Sequence, residues 1–103
     1  MIDIRVYREN DAIRSVAAVG HAGNGKKGEQ VCSGVSALMY TLALSLSEIK
    51  RVGVMVTDDD MGMSIEIIRG YSKKEVQVAL NTILLGLKSI CDTYPHYVRL
   101  RRN

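Results

Sequence analysis

The chain has no tryptophan, no phenylalanine, one proline and only two cysteines among its 103 residues. Without the large aromatics, its core has to be aliphatic, built from Val, Ile, Leu, Met and Ala with help from a few tyrosines. Cys32 and Cys91 are too few for the multi-bridge framework of a small secreted domain, and no C-x-x-C pair is present to hold zinc. The opening Met1-Ile2-Asp3-Ile4-Arg5 lacks the continuous apolar run of a signal peptide. No stretch approaches the roughly 20 apolar residues that span a bilayer. These absences point to a soluble protein in a reducing cytoplasm, with no membrane partner. The residues call for no cofactor and no metal.

What is present is ordinary for a globular chain: 47% hydrophobic residues, 24% charged residues and a net charge of +3. The length fits a single domain spanning residues 1–103. Much of the positive excess sits in Arg99, Arg101 and Arg102, with Lys26 and Lys27 in a loop. A few cations of this kind are usually just solvated, so direct nucleic-acid binding is not expected.

Residues 2–8 alternate apolar and polar as a strand does, Glu9-Asn10-Asp11 reads as a turn, and Ile13 to Val19 resumes as the second arm of a hairpin. Gly20 to Gly28 holds four glycines, Asn24 and two lysines, which reads as a mobile loop. A helix follows from about Val31 to Lys50, with Val31, Val35, Leu38, Leu42, Leu46 and Ile49 as its apolar stripe. Arg51–Thr57 and Met61–Ile67 alternate as a second hairpin around Asp58-Asp59-Asp60. Ser72-Lys-Lys-Glu75 has the form of a capping box opening a helix to about Cys91. Pro95 stops that helix, and Tyr97 to Arg101 is a last strand. The order β-β-α-β-β-α-β implies an α+β two-layer sandwich, a mixed sheet with both helices on one face.

Chemistry concentrates between residues 20 and 36. His21 stands just past the second strand, and Cys32 falls in the first turn of the first helix. A cysteine attacks as thiolate. A helix N-terminus favours negative charge and offers unpaired N–H groups, which would also hold the oxyanion of a tetrahedral intermediate. A nearby imidazolium adds to the effect. The plainer reading stands beside this one: free cysteine is often a small buried hydrophobe, and a lone histidine is often a surface group.

Gly20-His-Ala-Gly-Asn-Gly25-Lys26 also matches the G-x-x-x-x-G-K phosphate loop. Against that reading, Lys27 stands where a magnesium-binding Ser or Thr belongs, the helix starts about five residues too late, and repeated βαβ units are missing. The three aspartates lack the remaining ligands of a calcium loop and read as a solvated turn. Cys91 reads as packing, and His96 has no evident partner. Ser36, one turn beyond Cys32, either supports the site or bonds its own helix backbone. Glu29 either orients His21 or favours the helix dipole.

The segment Val19-Gly-His-Ala, a glycine-rich loop, then Glu29-Gln-Val-Cys-Ser-Gly-Val-Ser36-Ala-Leu resembles the Prp family of ribosomal-processing cysteine proteases, and the resemblance covers nearly the whole chain. It implies a cysteine endopeptidase that removes the N-terminal extension of a ribosomal protein precursor, the twenty-seventh of the large subunit. His21 matches the family's base and Cys32 its nucleophile. Gly23, Asn24, Gly25 and Gly28 match a loop that orders over the peptide substrate. A homodimer is implied as well. The sequence departs from the pattern in a loop about one residue short, in Glu29 where Asp is typical, and in Ser33 and Gly34 for two alanines. The alternative from another class is a non-catalytic ribosome-associated module binding RNA or protein.

Overall fold

The computed structural model describes residues 1–102. Its seven elements follow the expected order: β1 (Ile2–Glu9), β2 (Ala12–Gly20), α1 (Lys26–Ser47), β3 (Gly53–Asp59), β4 (Gly62–Arg69), α2 (Lys74–Thr93) and β5 (Val98–Arg102). The strands form one mixed sheet in the order β3-β4-β2-β1-β5, antiparallel throughout except for the β1–β5 pair. Ile2, Ile4 and Val6 are buried on β1, and Met63, Ile65 and Ile67 on β4, while the residues between them are less buried or exposed. Side chains of one parity share one face, so the core lies on a single side of the sheet. Both helices cover that side, which makes the fold the α+β class read from the sequence.

The first hairpin turns through Asn10 and Asp11, both at positive φ (53° and 64°), as a tight two-residue turn of the primed type requires. A register shift near Tyr7 and Arg8 places Ile13 and Val16 in the core although they are three residues apart. That β-bulge is the one interruption of period two on β2, and simple alternation does not anticipate it.

Helix α1 buries nearly the stripe expected of it, and α2 buries a stripe of its own. On α1 the buried residues are Gly28, Val31, Val35, Met39, Leu42 and Leu46; on α2 they are Val76, Leu80, Ile83, Leu84 and Leu87. By length and composition α1 is apolar enough to cross a bilayer, because Ser, Thr and Gly rather than charges separate its apolar residues. Here its apolar stripe packs on the sheet instead. The capping box does not form. Lys73 is the N-cap of α2, and no side chain caps that end.

Across the parallel β1–β5 pair Asp3 stands opposite Arg99, and Arg5 opposite Arg101. The Arg99 guanidinium donates to both carboxylate oxygens of Asp3, at 2.8 and 3.3 Å. Those hydrogen bonds, reinforced by the charges of Arg99, Arg101 and Arg5 against a partial burial that opposes them, hold the Asp3 carboxyl below the usual carboxylate range. A depressed folded-state value means that the stabilisation is complete above the unfolded value of about 4 and fades as pH falls through the folded one. Asp3→Asn is therefore expected to lower the urea midpoint at pH 7 and to leave it progressively closer to wild type below pH of about 4. Parallel urea titrations at several pH values check this.

Candidate active site

Three glycines at positive φ shape the connection from β2 to α1: Gly20 at 98°, Gly23 at 103° and Gly25 at 99°. Gly25 is the N-cap, and the amide of Glu29 bonds its carbonyl at 3.0 Å. Helix α1 thus begins at Lys26, five residues before the position read from the sequence. Gly28 belongs to the helix and not to the loop. It is buried, and a Cβ there would run into the Gly23 carbonyl oxygen, so its lack of side chain lets the loop lie directly on the helix.

This early start moves Cys32 from the first turn of α1 into the second. Amides there already bond carbonyls four residues back, and the field of a helix end falls off within one turn. The free helix N–H groups expected at the sulfur are therefore not supplied by α1. A different donor takes that place: the backbone N–H of Ala22 points at Cys32 Sγ at 3.4 Å. The early start also removes one of the three objections to a phosphate loop. The other two stand, since Lys27 still occupies the Ser/Thr position and the sheet is not built from βαβ units.

His21 and Cys32 line one cavity of about 160 Å³, together with Ser36, Tyr40 and Asp58, Asp59 and Asp60 at its polar wall and Ile2, Val35, Met39 and Met63 among its apolar residues. The His21 ring is exposed, and its Nε2 lies 3.2 Å from the backbone carbonyl oxygen of Asp60. Ser36 is exposed one turn along from Cys32 and has no hydrogen-bond partner among the described residues. Glu29 is exposed in the first turn of α1, and among the described residues its carboxylate bonds neither His21 nor any other group. Gly23, Asn24 and Gly25 are exposed above the helix start. His96 is exposed and lies apart from the cavity.

Two features of the site escaped sequence reasoning. Tyr40 continues the row Cys32, Ser36, Tyr40 at four-residue spacing on α1, a signal that was available in the helix pattern. Its hydroxyl donates to Asp58 Oδ2. That hydrogen bond, with the carboxylate's charge and some burial, pushes the Tyr40 phenol up from its ordinary value. The aspartates face the cavity as well as solvent, and among the described residues no group of three His, Cys, Asp or Glu side chains is gathered to hold a metal ion.

The arrangement presents a half-buried thiol with a backbone donor on its sulfur, an imidazole anchored through one nitrogen, and an apolar floor beside them. Cys91, the other free thiol, packs against the core. Burial, and then the neighbouring charge of Asp92, pushes its thiol up from the ordinary value. Iodoacetamide near neutral pH is accordingly expected to label Cys32 first, with Cys91 lagging until well into the alkaline range. Peptide mapping of a labelling time course checks the order.

The chain matches the family model described as Cysteine protease Prp over residues 1–99. Among solved structures, it is 30% identical to SMU.848 from Streptococcus mutans, with a TM-score of 0.84 over 99% of this chain and 93% of that one. It also superposes on an essential ribosomal processing protease Prp from S. aureus, solved with a covalently linked product peptide, at a TM-score of 0.88 and 24% identity over 100% of both chains. The same protease with a substrate peptide gives a TM-score of 0.88 at 23% identity, again over 100% of both chains. Comparison with curated proteins finds no match.

Proposed function

Since the chain belongs to the cysteine protease Prp family, we propose that it is a cysteine endopeptidase that removes the N-terminal extension of the twenty-seventh large-subunit ribosomal protein, with Cys32 as nucleophile and His21 as general acid and base. The observation that carries this reading is the shared cavity, in which the Cys32 sulfur takes a hydrogen bond from the residue next to His21. The S. aureus protease solved with substrate and product peptides supports a peptide as the partner.

The sequence of events balances as follows. Imidazole takes the Sγ proton, and the thiolate bonds the scissile carbonyl carbon as the carbonyl π pair moves to oxygen. Collapse breaks the C–N bond, and the imidazolium protonates the departing amine. Water then bonds the acyl carbon, giving a proton to the imidazole. The S–C bond breaks, and that proton returns to sulfur. An endopeptidase needs an extended peptide held across these groups. In this reading the exposed loop of Gly23, Asn24 and Gly25, which follows His21 directly, closes over the bound peptide.

The setting proposed is the cytoplasm, where two free cysteines stay reduced. The homodimer implied by the family has apolar surface to use: Leu44, Val78 and Leu85 are exposed on the helices. The rival reading is a non-catalytic ribosome-associated module binding RNA or protein; as an RNA binder it would use Lys26, Lys27 and the arginines near the C-terminus, and needs them unengaged. Lys27 Nζ lies over the Tyr94 ring at 5.4 Å, and Arg99 and Arg101 hold Asp3. No observation favours it.

Incubation with a peptide spanning the ribosomal protein's N-terminal extension, read by mass spectrometry, tests the proposal. Wild type is expected to cut the peptide at one bond. Cys32→Ala and His21→Ala are expected to lose on the order of 10⁴-fold or more in rate while keeping wild-type circular dichroism. Cleavage at an undiminished rate by Cys32→Ala removes the assignment.

A further inference from the structure

We propose that the backbone carbonyl of Asp60 holds His21 as the Nε2–H tautomer, leaving Nδ1 as the nitrogen that exchanges protons with Cys32, and that Tyr40 is a positioning residue which fixes this carbonyl through Asp58. The assignment rests on the protease reading above, and adds to it which ring nitrogen works and what aims it.

The chemistry of the partner decides the tautomer. A carbonyl oxygen only accepts, so the ring nitrogen 3.2 Å from Asp60 O has to carry a hydrogen. A neutral imidazole has one N–H, so the lone pair then lies on Nδ1. The sulfur's position agrees with this. Cys32 Sγ is held against the main chain at the Ala22 amide, directly after His21, and Nδ1 is the ring nitrogen nearer the main chain.

In the proposed cycle the Sγ proton moves to Nδ1, giving an imidazolium whose second N–H still points at the Asp60 carbonyl. That dipole stabilises the cation at the moment it forms. Nδ1 passes its proton to the leaving amine, collects one from water and returns it to sulfur. The Nε2 proton stays in place throughout. The carbonyl thus does for His21 what a third side chain does in a triad.

Asp60 sits at the turn between β3 and β4, and that turn is tied down at several points. Asp59 Oδ1 accepts from the Met61 amide at 2.8 Å, and the Met61 carbonyl accepts from the Gly20 amide at 2.9 Å. Both tie the turn to itself or to β2. The Tyr40–Asp58 hydrogen bond ties it to α1, the helix that carries Cys32. It therefore sets the distance between the element holding the nucleophile and the carbonyl orienting the base. Tyr40 is 48% exposed, so removing its hydroxyl takes little from the core.

Two-bond ¹⁵N–¹H correlation spectra of ¹⁵N-histidine-labelled protein, taken at a pH where titration shows the ring to be neutral, read the tautomer directly. His21 is expected to show a protonated, pyrrole-type Nε2 and a pyridine-type Nδ1. Tyr40→Phe is expected to shift these signals toward a tautomer mixture and to lower kcat about 10- to 100-fold with KM little changed. Asp58→Ala is expected to do the same, and Asp58→Asn, which keeps an oxygen acceptor for the phenol, to recover most of the loss. A wild-type His21 protonated on Nδ1 overturns the proposal, as does a Tyr40→Phe protein with unaltered kcat and tautomer. The tautomer is read without turnover. A chain that carries Nε2–H yet cuts no peptide refutes the protease reading and leaves the assignment of the carbonyl standing.

Discussion

Cys32 and His21 belong to elements that sheet packing alone has no reason to join. One is set in the second turn of a helix, the other just beyond the end of a strand. What brings them to one cavity is the fold-back of residues 21–25 onto α1, pinned by the Ala22 N–H on the Cys32 sulfur at 3.4 Å. A neutral bond to sulfur is weak, so backbone conformation has to make the fold-back inexpensive. Gly20, Gly23 and Gly25 supply three positive-φ positions, where L side chains would be strained. Gly28 removes the one Cβ that would hold the loop off the helix. A side chain at Gly28 would meet the Gly23 carbonyl, and so would act on the Ala22–Cys32 contact without altering His21 or Cys32 itself.

That arrangement explains which part of the site was legible from sequence. His21 and Cys32 stand out as candidates because the segments around them carry a specific pattern of neighbours, and both line one cavity. Their supporting contacts do not stand out in the sequence. Glycines at 20, 23, 25 and 28 look alike in a composition count, and together they read as one loop. Only the close approach of Gly23 to Gly28 shows that the last of them is a packing residue inside a helix. The misplaced helix start then carried an error into the electrostatics, because the expected support for Cys32 depended on a helix end that lies nearly two turns away. The sequence offers Glu29 for His21 to lean on, or for the helix dipole, and its carboxylate does not bond the ring. A backbone carbonyl at Asp60, 39 residues on, leaves no trace in a side-chain pattern.

The scaffold was more readable, for a simple reason. A buried face produces period two or period 3.6 in the apolar residues, and both signals are strong here on every element but β3, none of whose residues is buried. Ile2, Ile4 and Val6 and then Met63, Ile65 and Ile67 went to the core as alternation requires. The exceptions are local. The bulge that buries both Ile13 and Val16 adds one residue to a strand, which alternation cannot register. Ser72 and Glu75 have the residues of a capping box, but the chain enters α2 at Lys73 and the box stays open. Strand order required structure altogether: β1 pairs in parallel with β5, its partner from the far end of the chain.

The donor's identity changes what the loop does. Had a helix terminus supported the sulfur, the nucleophile would be ready whatever the loop was doing, because α1 is fixed by its buried stripe. With Ala22 as donor, the same short segment carries the His21 imidazole, the hydrogen bond to the Cys32 sulfur, and the exposed residues 23–25. A displacement of residues 23–25 then also acts on His21 and on the Ala22 amide, since only a few rotatable bonds separate them. A loop swung away from α1 would take the Ala22 N–H from the Cys32 sulfur and the His21 ring from the cavity in one movement.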